Sequence, residues 1–148
     1  VGDGSYLLHN SDIYSSVLYD KKLIIVVCDN GGHMVINRLQ LAKGGKEYLC
    51  NLKEARATNL QFVDFEAHAK SMGANGETVT STSELEAAFK RAKESEKTYV
   101  ISIKTHGYEW LDGTAFWESP TLEVHSTAEN KQAYEEFLAG KKDQRKGV

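Results

Sequence analysis

Segments of different hydrophobic periodicity follow one another along the chain and predict helices and strands in turn. Between residues 6 and 19 the apolar residues recur at spacings of three and four, which predicts a helix there with Ser5 as its cap. The run over residues 23–28 is apolar and mostly β-branched, which is typical of a strand buried on both faces of a parallel sheet. The polar run Asp29-Asn30-Gly31-Gly32 then predicts a loop.

The same pattern continues to the end of the chain. Residues 64–72 predict a helix that Gly73 ends, residues 74–80 a short strand, and residues 98–103 another strand. Two capping boxes predict helix starts: one at residues 83–86, with Ser83 as the cap, and one at residues 126–129, opening a helix through Leu138 that ends at Gly140. Residues 38–62 predict a long, partly helical excursion, and residues 107–125 an irregular covering segment.

Alternation of strands and helices predicts the fold class. We expect an α/β fold of three layers: a doubly wound, mainly parallel sheet with right-handed crossovers and helices on both faces. The 148 residues suffice for one domain, covering 1–148. Because the chain opens on Val1 within a motif, we expect upstream sequence to be missing.

Composition excludes some partners. The net charge of −3 argues against nucleic acid or a membrane held by bulk electrostatics. No apolar run is long enough to span a bilayer. The two cysteines form no disulfide framework, and Cys28 predicts a buried reduced thiol, which suits a cytoplasmic protein.

Two glycine-rich segments carry the candidate chemistry. Gly2-Asp3-Gly4-Ser5 precedes the first helix, and Asp29-Asn30-Gly31-Gly32 follows the buried strand. Ligands bind beyond the carboxyl ends of parallel strands, so adjacent strands would bring these two loops side by side. Glycines allow close backbone approach, and the helix start that follows suits a diphosphate. Asp29 is expected to shape its loop.

The polar side chains of these segments predict a metal site. Asp3 offers a carboxylate oxygen and Asn30 an amide oxygen, and hard oxygen ligands select magnesium or calcium over zinc. A Gly-Asp-Gly run alone is also a common turn. A nucleotide-binding α/β module and a binding-only domain without catalysis therefore stay open.

The two segments together resemble the fingerprint of thiamine diphosphate enzymes: Gly2-Asp3-Gly4, then 25 residues, then Asn30. The resemblance implies that Asp3, Asn30 and the main-chain carbonyl of Gly32 hold Mg²⁺, and that Gly4, Ser5, Asn30 and Gly32 contact the cofactor. It also implies a cofactor shared with a pyrimidine-binding domain, in the full-length chain or a second subunit, and hence a homo-oligomer.

A narrower resemblance is to the C-terminal domain of trihydroxycyclohexane-1,2-dione hydrolases. It rests on 2–7, 29–30, 36–40, 63–69, 133–136 and 144–148. It implies a cyclic diketone substrate, opened by carbon–carbon cleavage to a deoxy-glucuronate in myo-inositol catabolism; an acetolactate synthase-like enzyme or a decarboxylase is the alternative. Met34 departs from the family's glycine. The activating glutamate belongs to another domain, so no catalytic residue is assigned here and the isolated chain is expected to be inactive.

Overall fold

The computed structural model of the chain describes residues 1–110 and 121–143. Its three strands are β1 (Ile24–Asp29), β2 (Asn75–Val79) and β3 (Tyr99–Lys104). Its helices are α1 (Asp3–His9), α2 (Ser11–Leu18), α3 (Met34–Ala42), α4 (Phe65–Ser71), α5 (Thr82–Glu94) and α6 (Ala128–Lys142), with a 3₁₀ turn at Leu52–Glu54.

The three strands form one parallel sheet in the order β1-β3-β2. Tyr99 at the start of β3 pairs with Ile24 of β1 on one side and with Asn75 of β2 on the other. The strand predictions are confirmed, each to within one residue. Because all three strands run the same way, their carboxyl ends meet at one edge, where the loop after β1 lies.

Apolar residues cover both faces of the sheet. Val100 packs in one cluster with Val27 of β1 and with residues of α1, α2 and α4, whereas its neighbour Ile101 packs with Ala88 and Ala92 of α5. Successive strand residues point to opposite faces, so these clusters are the two helix–sheet interfaces of a three-layer α/β fold. The predicted fold class is confirmed.

The first helix differs from its prediction in its start and its continuity. Gly2, with extended backbone (φ −75°, ψ 159°), is the residue before the first turn, so α1 begins at Asp3, and Ser5 lies inside the helix instead of capping it. The segment then divides at Asn10, whose side-chain Nδ2 donates to the Leu7 carbonyl at 2.9 Å. Such local side-chain bonds compete with helix continuation.

The two predicted capping boxes are wrong by one or two residues. Ser81, rather than Ser83, accepts the Glu84 N–H at 3.2 Å, and Glu84 rather than Glu86 reaches back to the Thr80 N–H at 2.7 Å. Thr127, rather than Ser126, caps α6 by accepting from the Asn130 N–H. In each case a hydroxyl residue with extended backbone stands just before the first turn, as an N-cap requires.

The excursion predicted at residues 38–62 is partly helical, as expected. Helix α3 starts before this excursion, at Met34, and α6 continues to Lys142 instead of ending at Gly140.

Cys28 and Cys50 are free thiols, but both are half-buried, so the predicted burial of Cys28 is wrong. Residues 111–120 of the predicted covering segment lie outside the described residues. None of the helices in the described part has the length and apolar character needed to cross a bilayer.

A candidate metal and diphosphate site

The two glycine-rich segments meet, as predicted. Gly2 forms a parallel bridge with Cys28, and the Cys28 N–H donates to the Val1 carbonyl at 2.8 Å. The chain before α1 therefore runs alongside β1 and reaches the sheet edge where β1 ends. Asp3 lies at this edge and is buried, with 3% of its surface exposed. Its Oδ1 accepts the Asn30 N–H at 3.3 Å.

Three polar groups converge at this point. One terminal atom of the Asn30 side-chain amide lies 2.9 Å from Asp3 Oδ1 and 3.0 Å from the Gly32 carbonyl oxygen. With nitrogen in that position the amide donates to both oxygens. With oxygen there, three oxygens face one another, which is unfavourable unless a cation lies between them. Neighbouring ligands of an octahedral Mg²⁺ with bonds of about 2.1 Å lie about 3 Å apart, so the spacing fits that ion.

Asp29 shapes the loop, as predicted. Its carboxylate is 6% exposed, accepts the Gly31 N–H at 3.3 Å and pairs with the Lys104 ammonium of the neighbouring strand. A buried carboxylate with both partners in place is satisfied. The Asn30 amide, in contrast, lies between the Asp3 carboxylate and the Gly32 carbonyl.

A clamp that the sequence analysis missed holds this loop from the other side. The Leu52 N–H donates to the Gly31 carbonyl at 2.9 Å, and the His33 N–H donates to the Cys50 carbonyl at 2.8 Å. Residues 50–52, which we call the clamp, thus pair antiparallel with Gly32. At Gly32 φ is +139°, and an added Cβ would lie 2.2 Å from the Cys50 oxygen, so only glycine fits. The pair Gly31-Gly32 indicated a tight turn in the sequence. Nothing in the sequence indicated that residues 50–52 would pair with that turn.

An open cavity of about 300 Å³ lies beside Asn30 and Gly32. Gly4 and Ser5 from the first turn of α1 line it, together with Gly32 and His33. The first-turn N–H groups of a helix have no acceptor within the helix, and they suit a phosphate. The His33 ring packs against Gly4 so closely that a Cβ there would meet His33 Nδ1 at 2.5 Å. Ser5 is exposed at the cavity.

A second cavity of about 280 Å³ lies on the other side of Asn30, which lines both. Its walls come from the clamp, from Phe62 and from the loop after β3, including His106 and Tyr108. The His106 side chain is 79% exposed, and its Nδ1 lies 3.8 Å from Glu109 Oε1. Both histidines that follow strand ends, His33 and His106, therefore lie at the edges of these cavities.

The arrangement defines what the site can bind. Across residues 1–110 and 121–143, no three or more His, Cys, Asp or Glu side chains group together so that they could hold a metal ion among themselves. The converging set is instead one carboxylate, one amide and one main-chain carbonyl. Hard oxygen donors with room left beside them favour a cation completed by phosphate and water.

Comparison with known proteins agrees with this geometry. Residues 1–103 match the family described as thiamine pyrophosphate enzyme, C-terminal TPP binding domain. The chain therefore belongs to this family, and thiamine diphosphate is the cofactor that its domain binds. All residues of the converging set lie within the matched range.

Individual relatives extend the match to most of the chain. It is 34% identical over 137 residues to a 3D-(3,5/4)-trihydroxycyclohexane-1,2-dione hydrolase of Halalkalibacterium halodurans, covering 91% of this chain and 21% of the relative. It is 33% identical over 146 residues to the protein of that name from Listeria monocytogenes, covering 98% and 23%. The chain thus spans about a fifth of the length of these relatives.

Solved structures share the fold. A thiamine diphosphate-dependent 4-hydroxybenzoylformate decarboxylase from Rhodococcus jostii superposes with a TM-score of 0.60 at 20% identity, covering 72% of this chain and 19% of that one. A benzoylformate decarboxylase from Polynucleobacter necessarius gives 0.58 at 23% identity, with the same coverage. At these identities the likeness concerns architecture alone.

Proposed function

We propose that this chain is the magnesium- and diphosphate-binding part of a hydrolase that opens the ring of trihydroxycyclohexane-1,2-dione. In this proposal Asp3, Asn30 and the Gly32 carbonyl hold Mg²⁺, and the whole of 1–148 is one C-terminal domain. The single observation that carries the metal assignment is the approach of the Asn30 amide to within 3.0 Å of both other oxygens.

The residues present fit the cofactor. Gly4 and Ser5 place first-turn N–H groups and a hydroxyl at the cavity beside the metal ligands, where a diphosphate would complete the magnesium octahedron. When bound, thiamine diphosphate supplies a carbanion equivalent for carbon–carbon chemistry. The residues of this chain would bind and orient the metal and the cofactor. The Asp3 carboxylate would offset part of the charge of Mg²⁺, the Asn30 amide would present its oxygen to the ion, and the clamp would hold the Gly32 carbonyl in place as the third ligand.

Support for the substrate comes from the hydrolase relatives. Their names specify the cyclic dione, and they match 91% and 98% of this chain. The reaction proposed is carbon–carbon cleavage and hydrolysis to 5-deoxy-glucuronate, in cytoplasmic myo-inositol catabolism. No residue of this chain is assigned as catalytic acid or base. The proposal also requires a pyrimidine-binding domain, from the longer chain or a second subunit of a homo-oligomer, and predicts no turnover by this part alone.

A second candidate is an acetolactate synthase-like enzyme or a decarboxylase. The family match over residues 1–103 is compatible with it, because the same half-site can serve either chemistry. Turnover by the full-length protein of the dione, set against pyruvate and benzoylformate, separates the two. Ring opening of the dione alone is the result expected, and exclusive decarboxylation would overturn the hydrolase.

The metal assignment has its own test. Calorimetric titration of thiamine diphosphate with Mg²⁺ into the full-length protein should show that Asp3→Ala weakens binding by roughly 10-fold to 100-fold. Asp12→Ala is the matched control, since Asp12 is an exposed carboxylate on the next helix. Equal affinity in wild type and Asp3→Ala would overturn the metal assignment.

A further inference from the structure

We infer that Asn51 and Tyr108 are positioning residues for the proposed magnesium site, because their hydrogen bond holds the clamp that aims the Gly32 carbonyl. The inference rests on the proposed function, since it concerns the third metal ligand. It goes beyond it by assigning a role to two residues that touch neither metal nor diphosphate in the proposal.

The Gly32 carbonyl is a ligand that the chain can aim only through its neighbours. The clamp holds both peptides of Gly32: the preceding one through the Gly31 carbonyl, and the one that carries the Gly32 carbonyl through the His33 N–H. If the clamp shifts, both bonds shift with it and the carbonyl rotates away from Asp3 and Asn30. The position of residues 50–52 therefore sets the geometry of the third ligand.

The clamp itself is part of a long irregular excursion, so it needs an anchor. Asn51 supplies two bonds: its Oδ1 accepts the Lys53 N–H at 2.9 Å, and its Nδ2 donates to the Tyr108 hydroxyl at 2.9 Å. The first is local and begins the 3₁₀ turn. The second reaches 57 residues along the chain and ties the clamp to the loop after β3.

The loop after β3 is a firm anchor because it also touches residues 29–33, the loop of the proposed magnesium site, which we call the metal loop. The Thr105 N–H donates to the Asp29 carbonyl at 2.9 Å. Gly107 packs so closely that a Cβ there would lie 3.0 Å from the Asn30 carbonyl oxygen. The metal loop thus contacts both the clamp and the loop after β3. The Asn51–Tyr108 hydrogen bond joins these last two segments to each other, so the three segments contact one another pairwise.

A separate hydrogen bond ties the segment before the clamp to helix α3. Glu47 Oε1 accepts the Nδ2 of the fully buried Asn37 at 2.8 Å. Helix α3 begins just after Gly32, so this path holds the far side of the same loop. The segment that carries the clamp is consequently tied both to the loop after β3 and to the helix that follows Gly32.

The test uses the full-length protein with three variants: Asn51→Ala, Tyr108→Phe and the double substitution. Tyr48→Phe is the matched control, an exposed tyrosine of the same excursion. We measure the Kd for Mg²⁺ at saturating thiamine diphosphate, the melting temperature without ligands, and hydrogen exchange of the Gly31–His33 amides.

Each single variant should raise the Kd for Mg²⁺ roughly threefold to tenfold, the range expected for losing one hydrogen bond. The double variant should show no more than the larger single effect, since both remove the same bond. Amide exchange in the metal loop should quicken, while the unliganded melting temperature and the control stay near wild type.

A merely structural role would lower the unliganded melting temperature and leave the Kd for Mg²⁺ unchanged, and that result would overturn the inference. Additive effects in the double variant would also overturn it. Wild-type protein that binds no Mg²⁺ would overturn the proposed function instead, so the two failures are distinguishable.

Discussion

Adding one methyl group to either of two adjacent glycines of the metal loop should have very different effects. At Gly31 φ is +84° and an added Cβ meets nothing within 4 Å. At Gly32 φ is +139° and the Cβ would lie 2.2 Å from the Cys50 carbonyl oxygen and 3.3 Å from the Leu52 nitrogen. Gly31→Ala therefore carries backbone strain alone, whereas Gly32→Ala must also push the clamp away.

The magnitudes follow from these contacts. Left-handed backbone costs a non-glycine residue about 1–2 kcal/mol, which is the whole effect expected at Gly31. At Gly32 the strain is joined by the loss of two clamp hydrogen bonds, each contributing about 0.5–1.5 kcal/mol. Gly32→Ala should therefore destabilise the protein by about 3 kcal/mol, and it should displace the carbonyl that we propose as the third metal ligand.

The assay is Mg²⁺ and thiamine diphosphate binding by the full-length variants, with melting temperatures recorded with and without both ligands. Gly31→Ala should keep its affinity within about threefold of wild type, because nothing near the metal has to move. Gly32→Ala should lose roughly 10-fold to 100-fold, and its melting temperature should barely respond to ligands. Equal losses in the two variants, or wild-type affinity in Gly32→Ala, would refute the reasoning.

Three further predictions concern the rest of the fold, each checked by melting temperature. Burial raises the pKa of Tyr6 from 10.0 to about 12, so wild-type stability should fall between about pH 10 and pH 12, a loss that Tyr6→Phe should not show; a spectroscopic titration in which all tyrosines ionise together near pH 10 would contradict it. The Arg91 guanidinium, which donates to Glu77 at 2.7 Å, lowers the pKa of that carboxyl, so Glu77→Gln should cost up to about 1 kcal/mol at neutral pH, and the difference should vanish as acid protonates Glu77 below pH 4.5; a gap unchanged at pH 3 would count against it. Asn130→Ala should cost about 1–3 kcal/mol because Nδ2 donates to the Lys43 and Gly44 carbonyls at 3.2 and 2.9 Å, whereas the exposed Asn59→Ala should be neutral; equal effects would show that these bonds contribute nothing.

The features that local periodicity encodes could be predicted from the sequence. The apolar run at 23–28 predicted β1, and the stripe after Asp64 predicted α4, because in each case burial on a sheet face selects the pattern. The convergence of Asp3 and Asn30 followed from topology, since parallel strands bring their carboxyl ends to one edge.

Exact helix starts could not be predicted from the sequence in the same way. Ser81 and Ser83 both precede α5, and only the extended backbone at Ser81 decides which hydroxyl caps. The same ambiguity placed the α6 cap at Ser126 instead of Thr127. Neighbouring residues with the same capping chemistry differ only in backbone angles that tertiary packing sets.

The clamp lay beyond sequence reasoning for a different reason. Residues 50–52 hold the metal loop through main-chain groups, which every residue but proline carries, so no side-chain pattern marks them. Asn51 and Tyr108 meet across 57 positions without any shared periodicity. Contacts of this kind become visible only once the strands have fixed where the loops lie.

Because the donor proposed at Gly32 is a peptide oxygen, no side-chain replacement can delete it. Substitutions can change the contribution of this oxygen to ion affinity only indirectly, through the residues around the peptide. The Asp3 carboxylate, in contrast, can be removed by a single substitution. Comparisons of natural variants should therefore look for compensating changes around residues 50 and 108, well away from the ion itself.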